Sequence, residues 1–268
     1  MKNLPKINIP NIRSAVVAGI ALLGLSSIPA TAAITVLDSA TGLNNTYQGT
    51  SISFNFSGLD LTGGDKLVVS IGAQSTNSGS TSGERVWSSV TFDGQSMAEA
   101  ARVGAEGGTQ WQSGIYYLDS LSGLSNTGSL TITASMLNAR GASATAYVLS
   151  GTVGGHGNSN GSASSGTSLT TSAANSWVLA HATVSGTTVP TAQSPLTEGL
   201  SLVNNYNGGS QTSIGTGYQT VASSGTNLTP AFDIGNTTVA AEFTAIPEPS
   251  TTLLLGVLGS MLLLRRRR

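Results

Sequence analysis

The chain carries two histidines, and neither sits in a catalytic setting. His156 lies in a Gly/Ser stretch with no acid or second histidine beside it. His181 falls in the alternation that contains Trp177 and Leu179, where a half-buried, hydrogen-bonded strand histidine is expected rather than a ligand or general base. Serine is abundant enough for a Ser-His-Asp triad. The strained Gly-x-Ser-x-Gly elbow that activates such a serine is expected to be missing. Paired carboxylates would suit glycoside hydrolysis if they faced each other about 5–10 Å apart. Asp60 with Asp65, Glu99 with Glu106, and Asp119 alone are the available groups, and each sits where a turn or strand end would use an acid anyway. Asp60, Asp65 and the Gly63-Gly64 turn between them offer oxygens for calcium, but no EF-hand or Gly-Asp repeat surrounds them. No catalytic residue, metal or cofactor is therefore assigned.

Aromatic rings are the other candidates. Trp87, Trp111, Tyr116 and Tyr206 are the possible glycan contacts, since exposed rings on a sheet stack on sugars. Trp87 alternates with Val86, Val90 and Phe92, so it faces outward if those three face the core. Thr131 and Thr133 share an outward face, but one threonine pair is short of an ice-binding array.

The elements that would hold these residues are strands. Ser51–Ser57 places Ile52, Phe54 and Phe56 on one face, and Lys66–Ala73 does the same with Leu67, Val69 and Ile71. Ser129–Met136 turns Leu130, Ile132, Ala134 and Met136 inward. Further strands are expected over 34–38, 85–92, 97–103, 114–119, 142–150, 176–184, 199–205, 213–221 and 237–245. Asp93-Gly94 is a hairpin turn signal. Residues 151–167 are low-complexity and read as a long loop within one domain, and residues 74–83 read as a second mobile loop. No fixed repeat supports a β-helix. The expected fold is all-β, an antiparallel β-sandwich of jelly-roll-like kind.

Both ends read as targeting segments. Lys2, Lys6 and Arg13 form a basic region, Ala15–Leu25 an apolar one, and Ala30-Thr31-Ala32 a small-x-small cleavage site, so residues 1–33 are a signal peptide. Signal peptidase and the Sec translocon are the partners this implies. Between the ends, residues 34–245 form the exported domain. There Lys66, Arg85, Arg102 and Arg140 stand against eleven acidic residues, a formal charge of minus seven through Ile246. That charge excludes electrostatic binding to nucleic acid or to an anionic membrane surface. The chain has no cysteine, which removes disulfides, thiolate metal sites and thiol nucleophiles.

Residues 246–268 have three parts. Pro247 and Pro249 keep the peptide around Glu248 extended. An apolar run follows from Leu253 to Leu264, and Arg265, Arg266, Arg267 and Arg268 close the segment. A helix over 251–264 would be about 21 Å long, shorter than the ~30 Å hydrocarbon core, a gap that snorkelling arginines and local thinning can bridge. The arginines hold that end in the cytoplasm.

This order of parts resembles the PEP-CTERM sorting signal of Gram-negative bacteria, a segment also labelled an ice-binding protein C-terminal domain. The resemblance implies a short transmembrane helix and an exosortase-type membrane peptidase that cleaves near Pro247-Glu248-Pro249. It also implies an inner-membrane-anchored precursor that ends at the outer surface or in the extracellular matrix. Over residues 58–245 the segments Lys66-Leu67-Val68-Val69, Val90-Thr91-Phe92-Asp93-Gly94 and Ile115-Tyr116-Tyr117-Leu118 resemble a β-sandwich module of secreted bacterial proteins. Asp93-Gly94 stands where that module has Gly-Gly, and the module implies no catalytic residues. The functional expectation is an exported, non-enzymatic surface or matrix protein with a structural or adhesive role. A carbohydrate-binding module for exopolysaccharide, and a secreted glycan hydrolase or lyase, are the alternatives.

Overall fold

Alternating side chains commit a segment to a strand when one face can be buried, and Gly49–Phe56 (β2) shows this directly. Ile52, Phe54 and Phe56 have no solvent exposure, while Ser51, Ser53 and Asn55 are exposed. The computed structural model describes residues 33–44, 49–75, 89–104, 111–124, 130–204 and 211–247. Among them there is no helix, and every strand pairing is antiparallel. Ala33–Ile246 form one compact unit.

The first sheet contains β1 (Thr35–Asn44), β2, β3 (Lys66–Ser75), β4 (Ser89–Phe92), β5 (Gln95–Ser96), β6 (Ala98–Gly104), β7 (Trp111–Leu118) and β8 (Leu130–Ser150). Its order is β5-β4-β8-β3-β7-β6, with β1 and β2 also on β8. Two separate strands are expected over 129–136 and 142–150, but β8 runs through both. The register skips residues of β8 near Ala139, between Gly49 and Ser51 of β2 and between Gln74 and Ser75 of β3. Such irregularities bend a strand without ending it. The first half of β8 pairs with β2 and β4, the second with β1 and β3. The facing expected of Thr131 and Thr133 lies outside the described side chains.

The second sheet takes β9 (Ser159–Ser162), β11 (Ser176–Ser185), β12 (Thr197–Asn204), β13 (Thr212–Val221) and β15 (Thr237–Phe243), ordered β12-β13-β11-β15-β9. β10 (Leu169–Thr170) and β14 (Asn227–Leu228) form a small ribbon. The sheets are segregated in sequence: the first is complete at Ser150 before the second begins at Ser159. A jelly roll weaves two Greek keys through both sheets, so the jelly-roll-like winding expected from strand spacing is not the one formed.

β3 is buried on both faces. Leu67, Val69 and Ile71 meet Ile52, Phe54, Phe56 and Phe92 on one side. On the other, Val68 joins Ile115, Tyr147 and Leu149 against Trp177, Leu179, Val239 and Phe243 of the second sheet. Asp93 (φ 47°) and Gly94 (φ 77°) both take the left-handed conformation, and Phe92 pairs with Gln95 across them. That is the mirror-image hairpin turn that Asp-Gly favours.

The segment 151–167 departs most from expectation. It contains an edge strand, β9, paired with β15 from Thr238↔Ser162 to Ala241↔Ser159. An edge strand needs only backbone groups on one side, so Ser-Asn-Gly-Ser serves without apolar side chains.

Candidate functional site: the charged crossing between the sheets

The chain passes from the first sheet to the second over residues 151–158, and acidic groups hold it there. Asp65 Oδ2 accepts the Gly151 N–H at 2.5 Å. Both Asp119 oxygens accept the Gly155 N–H at 2.9 Å. Glu242 is fully buried and accepts from the N–H groups of Asn158 (3.0 Å), Ser172 (2.8 Å) and Ala173 (3.0 Å) and from the Ser172 hydroxyl (2.8 Å). Burial alone would raise its pKa, but these four donors outweigh burial and hold it below the ordinary carboxylate value.

Lys66 is the sole lysine of residues 34–246, and its side chain has no solvent exposure. Its ammonium bonds Asp119 and the Gly155 carbonyl, the latter at 2.6 Å. It stands 4.6 Å from the Tyr117 ring centroid and 5.5 Å from that of Phe243. Burial lowers the Lys66 pKa, with Asp119 opposing the shift. His156 rests against Tyr117 with ring centroids 5.6 Å apart. Burial and then the Lys66 charge lower the His156 pKa.

Deeper between the sheets lies a layer of hydroxyls around His181. Ser70 Oγ is 2.9 Å from His181 Nδ1 and 2.6 Å from Thr145 Oγ1. His181 Nε2 is 3.0 Å from Thr183 Oγ1, which meets Ser113 Oγ at 2.7 Å. The expected half-buried histidine is in fact fully buried, because both sheets cover its face. Burial lowers its pKa from 6.5 to about 3, so it is neutral in the folded chain at pH 7. The Ser70–His181 contact has no carboxylate behind it and no access to solvent. It joins the sheets rather than activating a serine.

A pH prediction follows from His181. Between its unfolded value of 6.5 and its folded value of about 3, only the unfolded chain takes up the proton. Stability is therefore full above pH 6.5 and falls as the medium is acidified, by up to about 1.4 kcal/mol per pH unit. Urea unfolding at stepped pH should show this slope, and His181→Gln should flatten it. An equal slope in the variant would refute the assignment.

Of the residues expected to contact glycan, only Trp111 and Tyr116 fall among the described residues. Trp111 and Tyr116 are 7% and 4% exposed, and their odd separation along β7 puts them on opposite faces of the sheet. They form no shared surface platform. Trp87 and Tyr206 lie outside the described residues, as do Glu106, Glu248, Pro249 and Arg265–Arg268. Asp60 behaves as a turn acid, accepting the Thr62 N–H at 2.8 Å, and its own N–H donates to Asp38. Glu99 meets Arg102 at 3.4 Å. Among the described residues no three His, Cys, Asp or Glu side chains gather as metal ligands. Contrary to expectation the Gly-x-Ser-x-Gly pentapeptide is present, as Gly157-Asn158-Ser159-Asn160-Gly161, but Ser159 opens an exposed edge strand rather than an elbow. A groove of about 370 Å³ beside β9 is lined by Asn160, Ser162, Ser168 and Thr229 among others, none of them aromatic.

Lys66, Gly155 and Glu242 were not among the candidates drawn from the sequence. A weak signal existed for two of them. Lys66 opens an otherwise apolar strand, and Glu242 interrupts Val239-Ala240-Ala241 before Phe243. No family model matches the chain, and no curated protein matches it. A solved structure described as a crystal structure of the plant receptor-like kinase FER aligns with 82% of this chain and 94% of its own, at 7% identity and a TM-score of 0.24, a likeness too slight to carry an argument.

Proposed function

We propose that this chain is an exported cell-surface or matrix protein with a structural or adhesive role, sorted through its C-terminal segment. One observation carries the reading: Pro247-Glu248-Pro249, the apolar run to Leu264 and Arg265–Arg268 follow one another in the order a membrane-held cleavage signal requires. The signal-peptide pattern of residues 1–33 supports it from the other end. On this reading the translocon exports the chain and signal peptidase trims it. The apolar run then halts in the inner membrane with the arginines inside, and an exosortase-type peptidase cuts near Glu248 and releases the all-β unit outward. The released unit is acidic and rich in surface hydroxyls, which keeps it soluble and hydrated outside the cell.

Intact mass of the protein recovered from the medium or envelope of an exosortase-bearing host tests this. The expected product lacks Arg265–Arg268. Replacing Pro247-Glu248-Pro249 with alanines should leave most of the protein in the membrane fraction at precursor length. A released product that still ends in Arg268 overturns the reading.

A further inference from the structure

Lys66 and Asp119 are placed for more than an ion pair. They follow the Leu67↔Leu118 pair of β3 and β7 and point to the same side, toward the second sheet. The lysine is enclosed, with Tyr117 and Phe243 against its head group and Gly155 across its end. Asp65, its sequence neighbour, points to the opposite side and is taken up by Gly151. We propose that Lys66 and Asp119 condense into an intramolecular isopeptide bond that staples the start of β3 to the residue after β7.

The atoms balance without any co-reactant. A proton passes from the Lys66 ammonium to the Asp119 carboxylate, giving amine and acid. The amine nitrogen attacks the acid carbon, and a C–N bond forms. A second proton leaves the nitrogen for the acid hydroxyl, the C–O bond breaks, and one water departs. Each step has a described group suited to it. The apolar enclosure that lowers the lysine's pKa favours the neutral, nucleophilic amine. The Gly155 carbonyl holds one N–H of that amine at 2.6 Å. The Gly155 N–H, 2.9 Å from both acid oxygens, is positioned for the oxyanion of the tetrahedral intermediate. His156, beside Gly155, packs its ring against Tyr117 on the same side of the enclosure. The Asp119 side chain is 43% exposed, so the released water has an exit. Holding both groups in contact replaces a bimolecular condensation with a unimolecular one, worth an effective concentration of about 10⁵ M or more.

Trypsin reads the result, because Lys66, Arg85, Arg102 and Arg140 are the only lysine and arginine residues between 34 and 246. The folded full-length chain should give a branched peptide in which the segment ending at Arg85, uncut at Lys66, is joined through Asp119 to residues 103–140. Its mass should be one water below the sum of its parts. Asp119→Ala should return linear peptides 67–85 and 103–140. Asp119→Asn should restore the same branched product, with ammonia leaving in place of water. The presence or absence of linear 67–85 does not depend on how either end of the chain is processed, while the mass of the branched peptide follows its N-terminus. Recovery of linear 67–85 in full yield from the folded wild-type protein overturns the proposal.

Discussion

Glu242→Ala is expected to destabilise the protein by about 2–4 kcal/mol, as large a loss as any single side chain outside the aromatic core should give. Three N–H groups and one hydroxyl, from Asn158, Ser172 and Ala173, lose their common acceptor. A buried donor left unpaired costs about 1–3 kcal/mol. Asn158 and Ser172 reach solvent, so water makes good part of that loss. The damage should concentrate where these donors lie. Residues 151–173 should become the preferred site of proteolysis while the first sheet keeps its amide protection. Acid reports the same contact. Because the folded Glu242 pKa lies below its ordinary 4.5, its contribution is full above that value and fades as pH falls through the folded pKa. Glu242→Gln, which has one acceptor oxygen for four donors, should retain part of the stability and remove that acid limb. An unfolding midpoint within about 0.5 kcal/mol of wild type would show that the crossing docks without the carboxylate.

The second large effect is expected at Gly72. A Cβ there would stand 2.5 Å from Thr183 Oγ1 and 3.1 Å from His181 Nε2, and closer still to Ile214 Cγ2. Thr183 and His181 cannot swing aside, since each is bonded into the hydroxyl layer. The substitution must push the sheets apart. Gly72→Ala should cost about 2–3 kcal/mol, the upper part of the overpacking range, and Gly72→Val more. Combining Gly72→Ala with Ile214→Ala should cost less than the sum of the two single changes, because one makes room for the other. Strict additivity in that cycle would mean the sheets are not in contact at Gly72.

Both predictions rest on residues whose importance is invisible without the fold. Gly72 sits in a strand legible as Lys66–Ala73, but nothing local says that side chains of the opposite sheet pack directly against it. The strands themselves were largely readable. Ser176–Val184 became Ser176–Ser185, and Ser213–Val221 became Thr212–Val221. Period two is a local property of the chain, so it survives without tertiary knowledge. Strands that carry no apolar pattern were missed: β9 is Ser-Asn-Gly-Ser, and it exists only because β15 presents a free edge. The alternation lapses at 137–141, which predicts a strand end there. Pairing on both sides carries β8 through it.

The site residues divide in the same way. Trp111 and Tyr116 looked like surface rings because aromatic type alone does not say which face is solvent, and β7 turns out to be covered on both. Asp119 was visible as an acid at a strand end. Its partner Lys66 was visible only as a strand's first residue, 53 positions away, and they meet because β3 and β7 pair in one register. By itself the amino-acid order determined the all-β class, most strand limits, the acidity of the middle region and the arrangement of its two terminal segments, since these depend on composition and near neighbours. Only the tertiary structure decided the two-sheet segregation, the burial of His181 and the charged crossing of Lys66, Asp119 and Glu242. Those depend on contacts between residues far apart in the chain, and on which backbone groups remain for a side chain to satisfy once the sheets have formed.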